Sequence, residues 1–220
     1  MKSLTGIILD AYRTGVFPMA ESADDDDFAF YRPYQRALIP IHDLHIPTKL
    51  LKALKRHDYT VSLDRAFADI IDGCAAAGPK RTNTWINTPI RDLFVTLHGE
   101  GHAHSIEVWD KENKLMGGLY GLSIGAVFCG ESMVSFKTNG SKIALVYLCA
   151  LLHEAGYTIL DSQFMNPHLL QFGAYEIPQQ EYEKRITVEM AKTGRSLNTI
   201  PIDAPLLGRY LSAQQTHSGS

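Results

Sequence analysis

The order of its helical and strand-like patterns predicts an α+β fold: a helix, an antiparallel meander, a buried helix, and one more strand with a helix after it. Three observations carry that expectation. Ile90, Leu93, Phe94 and Leu97 recur at three- and four-residue steps, the spacing of one helix face. Between Ser105 and Glu131 three β-rich runs are separated by the turn stretches Lys111-Glu112-Asn113 and Ser123-Ile124-Gly125. Ser141 to Glu154 is strongly apolar and stops at Gly156, as a buried helix with a glycine cap does.

The remaining elements follow in order. Ile7 to Thr14 reads as a short helix ended by Gly15. Val16 to Ile41 mixes Pro, aromatic and Asp residues without a period, so residues 1–41 are expected to form a small irregular N-terminal domain. Thr48 to His57 is helical, with Leu50, Leu51 and Leu54 on one side and basic residues on the other. Val61 to Leu63 suits a brief strand. Asp64 is placed to cap a helix that carries Phe67, Ile70 and Ile71 and ends near Ala77. Gly78-Pro79 opens a loop through Lys80 and Arg81 to Trp85, and Thr88-Pro89 starts the next helix. The strands are Ser105 to Trp109, Leu115 to Leu122 and Ala126 to Glu131. After the buried helix, Thr158 to Asp161 is a strand that delivers Asp161 at its carboxyl edge. Pro167 to Phe172 and Glu181 to Lys192 are helical. Residues 42–211 then make one larger domain, and 212–220 a loose polar tail.

Composition narrows the class. With 220 residues, 45% hydrophobic and 20% charged, the chain has the make-up of an ordinary globular protein. Its longest apolar run, Ile143 to Leu152, is too short to span a bilayer, and the first residues carry no secretory h-region. A cytoplasmic protein with no membrane partner is expected. Cys74, Cys129 and Cys149 stand far apart with no Cys-x-x-Cys pair, which suits reduced, packed thiols. The net charge of -3 conceals an acidic run, Asp24 to Asp27, and a basic cluster of Lys49, Lys52, Lys55 and Arg56.

Those four basic residues share a helix face, which serves either as a solvated surface or as a phosphate-binding stripe. Lys80 and Arg81 beside Trp85 favour the second use, because an exposed Trp can stack on a base; against that, a Trp is more often simply a core residue. His102 and His104 lack a third ligand at a useful spacing, so no metal is expected. The chain has neither a G-x-x-x-x-G-K-[ST] loop nor a G-x-S-x-G elbow. Two polar groups stand out against apolar surroundings. Glu131 ends the strand in Phe128-Cys-Gly-Glu-Ser-Met133, where a carboxylate must be paired or meet a ligand. Asp161 and Gln163, two apart, share a face at the end of the next strand. Leu145, Leu148 and Leu152 form a helix stripe that is core on spacing alone and pocket wall if the polar groups line a pocket.

On these motifs the chain resembles the bacterial leucyl/phenylalanyl-tRNA–protein transferases over nearly its full length. The matching stretches are Gly15-Val-Phe-Pro18, Thr84-Trp-Ile86, Gly101 to Trp109, Gly117-Gly-Leu-Tyr-Gly121, Phe128 to Met133, Ser141-Lys142, Asp161-x-Gln-x-x-Asn-x-His168 and Gly173 to Pro178. The resemblance implies a larger domain with an acetyltransferase-like (GNAT-like) fold. It implies transfer of Leu or Phe, and less readily Met, from aminoacyl-tRNA to proteins with N-terminal Lys or Arg, which marks them for degradation by the N-end rule. It further implies that Trp85 stacks on the 3'-terminal adenosine and that Leu119, Phe128, Met133, Leu145, Leu148 and Leu152 line the side-chain pocket, with Gly130 and Asn166 beside them. Glu131, Asp161 and Gln163 would be the polar centre, and a monomer is expected.

The chemistry agrees with the missing nucleotide motifs, since an aminoacyl ester is already activated and needs no ATP or other cofactor. The acceptor amine titrates near pH ~8 and must lose a proton. Asp161, relaying through Gln163 and water, is the expected base, with Glu131 orienting substrate. Two rivals stand beside this reading. An acyl-CoA N-acetyltransferase would need a Gly-rich pyrophosphate turn, and Thr138-Asn-Gly-Ser-Lys142 has one glycine. A non-catalytic tRNA-binding module would need only the basic face.

Overall fold

A computed structural model of the chain describes residues 2–76 and 84–217. Its centre is a seven-stranded sheet formed by β3 (Gln35–Ile39), β4 (Tyr59–Leu63), β5 (Ala103–Asp110), β6 (Leu115–Ile124), β7 (Val127–Ser135), β8 (Ile159–Gln163) and β9 (Tyr175–Pro178). The order across it is β4-β5-β6-β7-β8-β3-β9. Every neighbouring pair is antiparallel except β7 and β8, which run parallel because α5 (Gly140–Ala155) carries the chain back between them. Two further short strands, β1 (Phe17–Met19) and β2 (Ala29–Tyr31), make a separate antiparallel pair. The α+β architecture expected from the sequence is present.

Strand alternation sends neighbouring residues into different cores. On one face Ile106, Leu119, Phe128 and Leu160 meet α2 (Thr48–Leu54), α5 and α8 (Ala204–His217). On the other, Tyr120, Leu122, Cys129 and Ile159 meet α1 (Leu4–Arg13), α3 (Phe67–Ala75), α4 (Thr88–Gly99) and α7 (Gln179–Glu189). Thirteen of the sixteen residues of α5 are buried, which explains why its sequence is apolar nearly all round. Burial of Cys74, Cys129 and Cys149 matches the expectation of packed thiols.

The boundaries read from sequence need three corrections. β3 lies inside the large sheet, between β8 and β9, and Ile8, Leu9 and Tyr12 of α1 share a core with that sheet. Residues 1–41 therefore do not pack as a domain of their own. The tail assigned to 212–220 is helical as far as His217, because Leu206, Leu207 and Tyr210 of α8 bury against α5. Asp64 does not cap α3. With φ of 60° its carboxylate instead accepts from His104 Nδ1 at 2.7 Å and Ser105 N–H at 2.8 Å. The buried Glu107 takes over at that helix start, accepting from the N–H groups of Arg65 and Ala66 at 3.3 Å each.

Candidate active site

β7 and β8 stay paired for only three residues, Val127 with Ile159, Phe128 with Leu160 and Cys129 with Asp161. Beyond that point they separate, and a cavity opens at the carboxyl ends of this one parallel pair. The register between β6 and β7 shifts at the same level: Gly121 faces Gly130 and Tyr120 faces Ser132, so Glu131 is the extra residue of a bulge. A bulge re-aims a side chain, and Glu131 lines the cavity.

The cavity has a volume of about 700 Å³. Leu119, Met133, Leu145 and Leu148 form an apolar wall, Trp85 and Asn166 stand at its side, and Gly130, Glu131 and Asp161 contribute the polar part. A second cavity of about 210 Å³ shares Trp85, Glu131, Ser162 and Asn166 with it and adds Gln163, Phe164, Phe17 and Met19. Nine of the residues singled out in the sequence thus surround the large cavity, and Gln163 faces the small one. Phe128 and Leu152 do not reach it. The Phe128 ring covers Gly121, where a Cβ would come within 2.4 Å of it. Leu152 lies one turn, about 6 Å, along α5 from Leu148, away from the strand ends, and is fully buried in the core.

Burial pushes Glu131 up to about 8, the Tyr12 hydrogen bond draws it down, the Asp161 charge adds to the rise and the Arg36 charge opposes it. The Tyr12 hydroxyl, brought in by α1, donates to Glu131 Oε1 at 2.8 Å. A group with a raised folded pKa stabilises the fold fully below its unfolded value and loses that contribution as pH rises to the folded one. Stability should therefore fall between the ordinary 4.5 and about 8. Glu131→Gln removes this titration, so the variant's Tm advantage over the native protein should grow from about pH 5 to pH 8. A difference that stays constant with pH would show that Glu131 does not titrate in that window.

Asp161, expected to act through Gln163 and water, is in contact with Gln163, with Arg36 of β3 and with Tyr182 of α7. Fully buried, it forms a two-pronged ion pair with Arg36, Nε to Oδ1 at 2.7 Å and Nη2 to Oδ2 at 2.5 Å. It also accepts from Tyr182 Oη at 3.0 Å, Gln163 N at 2.9 Å and Gln163 Nε2 at 3.3 Å. Both oxygens therefore accept from donors of the protein, which ties β8 to β3 and anchors Gln163. Gln163 sits in the left-handed region at φ 57°, uncommon for a residue other than Gly, Asn, Asp or His, at the point where β8 ends.

Arg36 is the residue that sequence reading missed. It is fully buried, donates to Gly15 O at 3.0 Å, and lies between the rings of Phe17 and Tyr182 at 4.8 and 4.3 Å. The signal was present: an arginine directly before the apolar Ala37-Leu38-Ile39 needs an anionic partner if that run is a strand. His168, quoted above only as the end of a matching stretch, and Ile39 also line the cavity.

The basic residues lie elsewhere. Lys49, Lys52, Lys55 and Arg56 are exposed on and just after α2, and Arg56 is 3.4 Å from Asp58. Lys80 and Arg81 fall outside the described residues. His104 is buried against Asp64, and among the described residues no group of three or more His, Cys, Asp and Glu is placed to hold a metal ion. At the start of α5, a Cβ on Gly140 would meet Met116 O at 2.1 Å, and Ser141 N–H already donates to Ser135 Oγ at 2.9 Å. The turn that an acyl-CoA pyrophosphate would need is thus pressed against β6, with one of its donors taken.

The sequence profile of the leucyl/phenylalanyl-tRNA protein transferases matches residues 38–187. A leucyl/phenylalanyl-tRNA–protein transferase of Nitrobacter winogradskyi is 44% identical over 203 residues, 92% of this chain and 89% of the relative. The chain belongs to the leucyl/phenylalanyl-tRNA–protein transferase family. Another member of that name, from Phenylobacterium zucineum, is 46% identical over 184 residues, 84% of this chain and 83% of its own. Among solved structures, L-PGS from Bacillus licheniformis covers 61% of this chain and 48% of its own at 15% identity and a TM-score of 0.42, too slight a likeness to argue from. The family match includes the whole β7-α5-β8 unit and therefore Glu131, Asp161 and Gln163. Residues 2–37, which supply Tyr12 and Arg36 to the site, lie outside the matched profile.

Proposed function

We propose that the protein transfers leucine or phenylalanine, and less readily methionine, from aminoacyl-tRNA to the N-terminal Lys or Arg of acceptor proteins. It acts in the cytoplasm as a monomer and marks its products for degradation by the N-end rule. One observation carries the reading: Glu131, a carboxylate with a raised pKa, stands at the polar end of a cavity whose other end is Leu119, Met133, Leu145 and Leu148. The apolar end suits Leu or Phe and rejects charged side chains strongly, while separating Leu from Phe only weakly. Trp85, half-buried at the side, is the surface for the terminal adenosine.

Glu131 is the proton acceptor in this mechanism. Its pKa near 8 matches that of the acceptor's α-ammonium, also near ~8, so transfer between them is close to even. The freed amine attacks the ester carbonyl carbon; the C–N bond forms and the C–O bond to the ribose breaks. Of the two protons the nitrogen gives up, one passes through Glu131 to the ribose oxygen and the other leaves to solvent. Asp161 and Arg36 hold β8 and β3 together behind Glu131, and Gln163 borders the second cavity.

The direct test incubates the purified protein with labelled Leu-tRNA and a peptide beginning with Arg. The expected product is the peptide extended by one Leu, with no acetyl transfer from acetyl-CoA; acetylation without leucylation would replace the reading with its rival. The α2 face makes a second prediction. Charge reversal at Lys52 and Lys55 together should raise KM for Leu-tRNA and flatten its salt dependence, since each lost phosphate contact removes a slope of about 0.7–0.9. The rate at saturating tRNA should hold. An unchanged KM would remove α2 from the tRNA interface.

A further inference from the structure

We propose that Lys142 and His168 form a phosphate clamp at the mouth of the large cavity, which holds the phosphate joining the terminal adenosine of the aminoacyl-tRNA to the nucleotide before it. This assignment rests on the transferase reading above. Both residues stand at the end of the sheet where the cavity opens. α5 begins after the carboxyl end of β7, and α6 (Pro167–Leu170) after that of β8. Lys142, Leu145 and Leu148 follow one another at three-residue steps on α5. The two leucines wall the cavity, so Lys142 stands one turn, about 4.5 Å, nearer its mouth. His168 is exposed on α6 and lines the same cavity.

Lys142 carries a charge without a counter-charge. It is half-buried, its Nζ donates to Gln171 Oε1 at 2.9 Å, and among the described residues no carboxylate pairs with it. A cation partly withdrawn from water is costly unless an anion meets it. Lys142 also lies in the first turn of α5, which holds no acid, so the positive end of the helix dipole adds to its field. The same contact fixes the state of His168. A lysine only donates, so the Gln171 oxygen must face Lys142 and the Gln171 amide nitrogen must face His168. That nitrogen donates to His168 Nδ1 at 3.2 Å and to the His168 carbonyl oxygen at 2.7 Å. Nδ1 is therefore an acceptor, and the ring proton sits on Nε2. Burial, and after it the Lys142 charge, draw His168 below its ordinary value, which keeps the ring neutral and this tautomer in place. Nε2–H is left for a ligand. The acids of the cavity wall, Glu131 and Asp161, come from β7 and β8, and α6 carries none. An ammonium beside a neutral N–H donor suits the oxygens of a phosphate.

The test uses 3'-leucylamino-3'-deoxyadenosine, whose amide cannot be transferred, with and without a 5'-phosphate. Each competes with Leu-tRNA in transfer to a peptide beginning with Arg. In the native protein the phosphate should lower Ki about tenfold or more, the gain of one or two charge-assisted contacts. Lys142→Met and His168→Ala should each cut that gain to about threefold or less, while Ki for the phosphate-free analogue stays within about twofold. His168→Gln sets an amide N–H near the place of Nε2 and should restore most of the gain. His168→Asn, whose amide falls near Nδ1, should not. With Leu-tRNA itself the variants should show a raised KM rather than a lowered kcat, and their turnover shows that they are folded. Equal Ki values for the two analogues in the native protein, or inhibition by neither, would overturn the clamp. So would a phosphate gain that survives in either variant, or a loss that falls on kcat alone. A native protein that transfers no Leu from tRNA would sink the transferase reading itself, which is a separate outcome.

Discussion

Arg36→Met is expected to destabilise the protein by about 3–5 kcal/mol, because it strands the Asp161 carboxylate in a fully buried position. For a chain of this size that corresponds to a fall in Tm of roughly 6–20 °C. The loss would not measure the pair's net contribution. Desolvating both ions is costly, so much of the effect is the penalty of an orphan charge. A double-mutant cycle separates the two: Asp161→Asn combined with Arg36→Met removes that charge, and the double variant should be more stable than Arg36→Met alone. Additive losses would mean that the two residues do not act as a pair. Tyr182, which donates to Asp161 at 3.0 Å, belongs to the same network and should show smaller coupling to each.

Glu131→Gln is expected to lower the rate at saturating substrates by about 10²–10⁴-fold, the usual contribution of a positioned general base. The amide keeps an acceptor oxygen for Tyr12, so the bulge and the apolar wall should survive and KM for Leu-tRNA should move little. A loss that appeared in KM alone would make Glu131 a binding group. Tyr12→Phe gives an internal comparison. Its hydrogen bond draws the Glu131 pKa down, so its removal should move the acidic limb of the activity profile to higher pH.

Elements whose partners are near in sequence were readable from the chain. The α4 stripe of Ile90, Leu93, Phe94 and Leu97, the β5-β6-β7 meander and the apolar α5 all have periods that survive any tertiary context. β3 was not readable, because its partners β8 and β9 come more than a hundred residues later and its five residues follow an aperiodic stretch. The same distance hid Arg36, whose partner Asp161 is 125 positions away.

The site divided along a similar line. Glu131 and Asp161 were visible as acids ending apolar strands, but their roles depend on neighbours that only the fold supplies. Asp161 meets Arg36 and is occupied; Glu131 meets Tyr12 at a bulge and lines both cavities. Leu145, Leu148 and Leu152 looked equivalent as a stripe. Their equivalence ends where the cavity does, one turn short of Leu152.

The most direct test of Glu131 as the proton acceptor is the pH dependence of kcat/KM for the Arg peptide in the native protein and in Glu131→Gln. Glu131 must be ionised and the acceptor amine still protonated for the transfer between them, and both titrate near pH about 8. The native profile should therefore rise with a slope of one below that pH and fall above it, whereas the variant, which depends on amine already free in solution, should rise to a plateau at a much lower level. Profiles of the same shape in the two proteins would contradict the assignment.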